Sequence, residues 1–432
     1  MSKADLSSTY DLLFSLLRSA LLGETCPVEI ENFAALLREA QRQTVDGLLY
    51  ALPQLSVCEA ERPLLKQWIG GLLPLEMANR QMNQVVVELA RVFDAAHLRY
   101  VLLKGQSCAA VYPRPLLRRA GDIDLYIAPQ HFEEAKCVLQ NLGFVFDHQT
   151  LLHEVFDKKG ITVELHRALQ PMQWPPAVQH LKQMMHKEVD TVVEWQNFVE
   201  IDGYNVPILP PHLNVVLLTA HIMVHATHLG IGLRQLVDWG MVLTTYAHRL
   251  DRALLKNALS QLHLTRFYRI LSAFSVEYLG FAAHHFDLSL LEKNNSPSVI
   301  AAPATDASAP FIASSPDSSD ASAPFIASSP DSSSIVPSSD SSIYLSSSSN
   351  SKYPYSSFDA LRAKSLLKWS IKVGNHARFG SSFSRNGGFL AHSCIYFYNM
   401  LLHFWWVPTE YLGIPWHMLR RALYRLSFMK HT

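Results

Sequence analysis

Apolar residues recur with helical spacing in one part of the chain and with strand spacing in the next. Before residue 100 they recur every three or four positions, which predicts helices over Ser8–Leu22, Ile30–Leu52 and Glu61–Ala96. Gly70-Gly71 and Pro74 predict breaks within the third helix, because glycine and proline weaken helix interiors. We expect these helices to form a platform against the sheet that follows.

Three short segments after this platform have the pattern of strands. The apolar run Tyr100–Leu103 predicts a first strand that stops at Lys104-Gly105. Polar and apolar residues alternate in Asp122–Ile127 and again in Ile161–His166, which predicts two further strands. A helix predicted over Pro129–Leu142 separates these two. The mixture of helices and a small sheet indicates an α+β fold.

Acidic side chains occupy one face of these predicted strands. Asp122 and Asp124 point to the same side of an alternating strand, about 7 Å apart at their Cα atoms. Two carboxylates beside a packed core repel each other, and a divalent cation would offset that repulsion. Glu164 supplies a third acid from the later strand. The three acids are therefore the predicted catalytic and metal-binding residues.

A glycine turn precedes the acids and has the chemistry of a phosphate site. Gly105 lets the backbone turn sharply and lets N–H groups approach a phosphate closely, while Ser107 adds a hydroxyl. The Cys108–Ala110 stretch is expected to open a helix whose N-terminus favours an anion. Lys104 and Arg118 carry positive charges that would contact the same phosphates.

These residues together resemble a known superfamily. Leu103-Lys104-Gly105, Gly121–Leu125 and Glu164-Leu165-His166 are similar to the strand, glycine turn, Asp-x-Asp and later acid of nucleotidyltransferases of the DNA polymerase β type. Arg118 and a later segment with His221 and Asp238 extend the resemblance to a bacterial family of uncharacterised nucleotidyltransferases, over about residues 20–280. One position departs from the pattern, since Gln106 stands where the superfamily usually has Gly or Ser.

The resemblance implies a metal-dependent transfer of a nucleotide group. Mg²⁺, or Mn²⁺ in its place, would be held by the three acids, and an NTP would be the donor substrate. His166 lies two residues after Glu164 and would orient a metal ligand or contact the nucleotide. The resemblance also makes His221 a candidate contact for the nucleotide or the acceptor.

Helices follow the predicted sheet. Apolar spacing predicts them over Leu213–His228, Leu233–Tyr246 and Arg252–Leu279. The first carries histidines four and seven positions after His221, which predicts a polar seam facing the cleft. Arg234 and Asp238 have the spacing of an ion pair within one helix.

Charge and cysteine usage narrow the function classes. Lys+Arg and Asp+Glu both total 37, so no net field gathers nucleic acid, and a protein or small-molecule acceptor is favoured over RNA. The five cysteines have no CxxC spacing, and the first ten residues lack a secretory pattern. These observations predict a cytoplasmic protein.

The last third of the chain has a different composition. Residues 294–351 contain no Lys or Arg, and the 14-residue unit DASAPFIASSPDSS occurs twice in tandem, which predicts a disordered tether. Residues 389–408 contain no charged residue, and Trp405, Trp406 and Trp416 lie near a basic tail. A docked or interfacial helix, a membrane span or a partner-binding patch fits this composition, and residues 389–425 are a candidate peripheral membrane contact.

We therefore predict five regions. They are an N-terminal helical region (1–95), a nucleotidyltransferase core (96–205), a helical domain (206–290), a disordered Ser/Pro/Ala-rich insert (294–357) and a C-terminal aromatic segment (358–432). The predicted function is metal-dependent transfer of an NMP to a hydroxyl or phosphate of an unknown acceptor. Two rival functions are a catalytically silent nucleotide-binding scaffold and a membrane-surface adaptor.

Overall fold

A computed structural model describes most of the N-terminal two thirds of the protein. The described residues are 3–24, 29–51, 56–169, 174–192, 194–228, 230–286, 362–364 and 366. The predicted disordered insert and the candidate membrane contact at 389–425 lie outside them. Among the described residues, no helix combines the length and the apolar character needed to cross a membrane.

Three helices and two very short strands precede the main sheet. Their bounds are α1 Lys3–Leu22, β1 Glu29–Ile30, α2 Phe33–Arg42, β2 Ser56–Val57 and α3 Arg62–Ala95. The single helix predicted over Ile30–Leu52 is wrong. Asn32 caps α2 by accepting a hydrogen bond from the Ala35 N–H, and Thr44 then adopts a positive φ that ends helical geometry before a 3₁₀ turn.

The predicted breaks in α3 are also wrong, because the helix runs through all of these positions. Gly70, Gly71 and Pro74 are all exposed to solvent, so none of them removes a packing contact from the buried face of the helix. That face continues through Trp68, Asn79 and later apolar residues, and its packing outweighs the local helix propensity.

A mixed five-stranded sheet forms the centre of the described fold. Its strands and the helices between them are β3 Tyr100–Leu102, α4 Lys104–Ala109, β4 Ile123–Ile127, α5 Phe132–Asn141, β5 Val145–Gln149, β6 His153–Lys158 and β7 Ile161–His166. The spatial order is β3-β4-β7-β6-β5, with β4 parallel to β7 and every other pair antiparallel. The predicted α+β architecture is confirmed, whereas the β5–β6 hairpin was not predicted.

A second hairpin and further helices complete the described fold. They are α6 Pro175–Met185, β8 Phe198–Ile201, β9 Tyr204–Pro207, α7 Pro211–His228, α8 Leu233–Tyr246, α9 Arg252–Gln261 and α10 Thr265–Glu277. The one helix predicted over Arg252–Leu279 is in fact two. His263 has a φ of 57° between them, and this left-handed conformation interrupts the helix.

A buried ion pair fastens the segment before β4 to α8. The Arg118 guanidinium donates through Nε and Nη2 to the two carboxylate oxygens of Asp238, at 2.7 Å each. The Tyr112 hydroxyl donates to the same carboxylate at 2.6 Å. The predicted ion pair between Arg234 and Asp238 is therefore wrong, because Asp238 faces the protein interior and takes its partner from across the fold.

Removing one member of this pair should be strongly destabilising. We expect Asp238→Ala to lower the free energy of unfolding by about 3–5 kcal/mol, because it leaves the Arg118 guanidinium buried without its carboxylate. Urea unfolding measures the change. The control is Glu133→Ala, which removes an exposed pair with Lys136 and should cost below about 1 kcal/mol. Equal losses in the two variants would contradict this account of the ion pair.

Candidate functional site

The parallel pairing of β4 with β7 assembles the acidic cluster, which we define as Asp122, Asp124 and Glu164. Asp124 lies directly opposite Glu164 in the register of the two strands. Asp122 immediately precedes β4 and shares the face of Asp124, because strand side chains alternate. One carboxylate oxygen from each residue lies within 4.8 Å of the other two. Three side chains predicted to act together therefore do converge.

Two nitrogen donors hold Asp124. Lys104, the first residue after β3 and Leu103, places its Nζ 2.9 Å from Asp124 Oδ1, and His166 Nε2 lies 2.9 Å from the same oxygen. Burial alone would raise the pKa of Asp124, but the Lys104 ammonium and the His166 ring outweigh it and hold that pKa well below its usual range. Asp124 is therefore a charged carboxylate although it is only 2% exposed.

The pKa values of the two donors, Lys104 and His166, are shifted upward. Burial opposes the charged forms of Lys104 and His166. The neighbouring carboxylates together outweigh it and raise the pKa of both groups: Asp124 with Asp122 at Lys104, and Asp124 with Glu164 at His166. Glu164 also contacts His166, with Oε2 at 3.2 Å from Nε2. Burial raises the pKa of Glu164, but His166 and His153 together outweigh it and lower that pKa. The cluster is thus held together by alternating charges.

Asp122 is the acid that these contacts leave least compensated. Repulsion from Asp124 and then burial raise its pKa from 3.8 to about 6, and the Lys104 ammonium only partly opposes this. Three carboxylates thus face one lysine and one histidine, which leaves negative charge in the site. A bound cation is the simplest way to relieve it.

The glycine turn before the cluster is present, but the helix after it differs from the prediction. Gly105 has a φ of 47° and a ψ of −114°, and a Cβ there would lie 3.1 Å from the Asp122 carbonyl oxygen. The helix expected to begin at Cys108 is wrong, because α4 spans Lys104–Ala109 with a kink at the non-helical Gly105 and ends one residue after Cys108. Pro113 and Pro115 follow within six residues and stop its extension.

Two side chains of this turn are engaged inside the protein. The Ser107 hydroxyl donates to the Lys104 carbonyl at 2.8 Å, and the Gln106 amide donates to Asn83 Oδ1 at 2.7 Å. Both residues are buried. Gln106, which departs from the superfamily pattern, is thus anchored to α3. The phosphate contact predicted for Ser107 stays a prediction and requires the hydroxyl to exchange its present acceptor.

The remaining predicted nucleotide contacts occupy different places. Arg118 is 4% exposed and committed to Asp238, so it is not part of the acidic cluster. His221 lies on α7, where burial and then the Lys104 charge lower its pKa well below 6.5, so the ring is neutral. Its ring centroid lies 4.3 Å from that of His225. Nucleotide binding by either residue stays a prediction.

His153 joins the site although sequence reasoning missed it. It pairs across the sheet with His166, and its Nε2 lies 3.6 Å from Glu164 Oε1. Burial is the largest cause that lowers its pKa. The signal would have been a strand at His153–Lys158, but Glu154 and Phe156 alternate with His153 and Val155, so neither face is uniformly apolar.

Comparison with known proteins places this arrangement in a family. The model of the family described as uncharacterised nucleotidyltransferase matches residues 30–280, which is more than half of the 432 residues. The chain belongs to this uncharacterised nucleotidyltransferase family. The matched range includes the glycine turn, the acidic cluster and the histidine-bearing helix α7. The family resemblance expected from the sequence is thus confirmed.

Searches against individual proteins add less. The search of curated proteins gave no match. Four solved chains match, among them an antigenic nucleotidyltransferase-like protein from Paracoccidioides brasiliensis with 16% sequence identity. That alignment covers 42% of this chain and 86% of the other, with a TM-score of 0.28. A superposition this poor carries no argument about the site of this uncharacterised nucleotidyltransferase.

The residues of the cluster fit a divalent metal ion, as nucleotidyltransferases generally use. Carboxylate oxygens are the ligands that hard divalent ions prefer, and Asp122, Asp124 and Glu164 supply one each within a single small volume. The raised pKa of Asp122 is the observation that tests the fit, because it reports uncompensated negative charge at that point.

Removing the repulsion at Asp122 should stabilise the metal-free protein. Its carboxyl has a folded-state pKa of about 6 against 3.8, so its destabilising effect is absent below pH 3.8, grows between pH 3.8 and 6, and is complete above pH 6. We expect Asp122→Asn to raise the free energy of unfolding by roughly 1–2 kcal/mol at pH 7.5 and not at pH 4. Urea unfolding in EDTA at both pH values measures this.

The matched control is Asp147→Asn on the exposed strand β5, where the substitution removes no buried neighbour. Its stability should follow the wild type at both pH values. If Asp122→Asn were less stable than the wild type at pH 7.5, Asp122 would be a net stabilising group, and the argument from uncompensated charge would fail.

Proposed function

We propose that this protein transfers a nucleotidyl group from an NTP to a hydroxyl or phosphate of an acceptor, with Mg²⁺ or Mn²⁺ at the acidic cluster. Membership of the family supports nucleotidyl transfer in general terms. The observation that carries the finer proposal is the convergence of Asp122, Asp124 and Glu164 beside the turn at Gly105. The NTP substrate and the acceptor are part of this proposal.

Nucleotidyl transfer requires positioned charge and does not require a covalent enzyme intermediate. The acceptor oxygen forms a bond to the α-phosphorus, the bond from that phosphorus to the bridging oxygen breaks, and pyrophosphate leaves. A divalent metal, when bound by the three acids, would neutralise charge on the phosphate oxygens. Asp124 is suited to hold it because Lys104 and His166 keep its carboxylate ionised.

Individual side chains then take separate tasks. We assign Lys104 as a phosphate contact, because it lies just after β3 and its ammonium interacts electrostatically with all three acids. Gly105 permits the sharp turn, with a φ of 47°, that places Lys104 beside the acids. Glu164, 17% exposed against 2% for Asp124, is the acid we assign to accept the proton of the acceptor hydroxyl.

A catalytically silent nucleotide-binding protein is the second candidate, and two observations favour it. The Lys104 ammonium already neutralises part of the cluster, and Gln106 fills the turn position where the superfamily has Gly or Ser. Such a protein would bind an NTP in a metal-dependent manner without transferring any part of it.

Label transfer tests the proposal. The purified full chain is incubated with each NTP labelled at the α-phosphate, Mg²⁺ and a cell extract that supplies acceptors. We expect labelled product from at least one NTP, and we expect Asp122→Asn, Asp124→Asn and Glu164→Gln each to lower the rate about 100-fold or more. Asp147→Asn, an exposed carboxylate of the edge strand β5, is the control and should keep the wild-type rate.

Two outcomes would count against transfer. Mg²⁺-dependent NTP binding that is lost in the cluster variants, with no labelled product from the wild type, would support the silent protein instead. Transfer that survives all three substitutions would remove the acidic cluster from the reaction.

A further inference from the structure

Beside the acidic cluster lies a second group of metal-ligating side chains, which we call the histidine group: His153, Glu164 and His166. β6 and β7 are antiparallel neighbours, and their register sets His153 directly opposite His166. Glu164 lies two residues before His166 and therefore projects from the same face of the sheet. Three side chains from two adjacent strands thus meet without any loop to position them.

Within the histidine group the Nε2 atoms of the two rings face the two oxygens of Glu164, and His166 Nε2 also hydrogen-bonds Asp124 Oδ1 at 2.9 Å. Glu164 presents Oε1 to His153 Nε2 at 3.6 Å and Oε2 to His166 Nε2 at 3.2 Å. The first distance is too long for a hydrogen bond. One ligand atom from each of the three residues lies within 4.8 Å of the other two.

The two rings also have unused hydrogen-bonding capacity. The Nδ1 atoms of His153 and His166 are both buried, and neither has a hydrogen-bond partner among the described residues. Buried polar atoms are normally satisfied, so the lack of a partner in both facing rings needs an explanation. Their ring centroids lie 4.9 Å apart. The Nε2 atoms of both rings face Glu164, so a metal ion held by this group would coordinate Nε2 and leave each Nδ1 as the outer nitrogen of a ligating ring.

We propose that His153, Glu164 and His166 form a second metal site, selective for a transition ion such as Zn²⁺, that shares Glu164 with the acidic cluster. Two imidazoles and one carboxylate form a donor set that zinc accepts, with a further coordination position left for water or a substrate atom. The acidic cluster offers oxygen alone, which suits Mg²⁺. The two groups therefore differ in ligand chemistry although they share one residue.

The burial of the three residues agrees with an ion that enters from solution. The side chains of His153 and Glu164 are 19% and 17% exposed, whereas that of His166 is 4% exposed. One ligand is thus fixed in the interior and the other two lie at its rim. Zinc binding would displace the proton that His166 now shares with Asp124, because nitrogen ligands coordinate in their neutral form. Asp124 would keep Lys104 as its partner.

Zinc binding to the metal-free full chain tests this proposal. Zn²⁺ is titrated in competition with a chromophoric chelator. We expect His153→Gln to weaken zinc binding at the tightest site by about 100-fold or more, because loss of a ligand should cost at least as much affinity as loss of a residue that only supports a ligand. His148→Gln, on the exposed strand β5, is the matched control and should bind like the wild type. Asp122→Asn, outside the histidine group, should also retain zinc.

X-ray absorption spectroscopy of the zinc-loaded wild type identifies the zinc ligands directly, and this measurement does not depend on the folding of any variant. We expect scattering from two imidazole rings, reduced to one in His153→Gln. Equal zinc affinity in His153→Gln and the wild type, or a zinc spectrum without imidazole ligands, would overturn the proposal.

The result is separable from the proposed nucleotidyl transfer. Mg²⁺-dependent label transfer without histidine-dependent zinc binding would reject the second site alone. Zinc binding that depends on His153, with no label transfer under any condition, would reject the transfer and leave the second site in place.

Discussion

The parallel pairing of β4 with β7 is the constraint on which the site depends. It sets Asp124 against Glu164, two residues far apart in the sequence, on one face of the sheet. The neighbouring strands add to the same face: β3 ends at the turn that supplies Lys104, and β6 places His153 opposite His166. A shift of this register by one residue would turn the acid of one strand away from the other.

The electrostatic balance of the site follows from this packing. Lys104 and His166 both contact Asp124, and their charges stabilise its carboxylate in a place where burial alone would neutralise it. Among the described side chains, Asp122 has less compensation from positive charge, and its raised pKa records the shortfall. The fold therefore keeps three acids close together and compensates them incompletely, which is the condition that favours a bound cation and its phosphate ligands.

Much of this could be predicted from the sequence because it depends on local patterns. Strand alternation gives the shared face of Asp122 and Asp124, and the order of glycine turn, paired acids and later acid gives the family. Contacts between distant residues could not be predicted in this way. Arg118 and Asp238 are 120 positions apart, so the sequence around either residue does not predict that they pair. His153 was missed because its strand buries Glu154, which pairs with Lys136 and Arg167, and so lacks an apolar face.

The most direct measurement of the central claim is the location of a bound ion. Crystals of the full chain grown with Mn²⁺ and a non-hydrolysable NTP analogue give an anomalous signal that marks manganese alone. The account predicts a peak bounded by the carboxylates of Asp122, Asp124 and Glu164, with the triphosphate beside Gly105. A crystal that holds the analogue elsewhere, or an acidic cluster without manganese under saturating Mn²⁺, would contradict it.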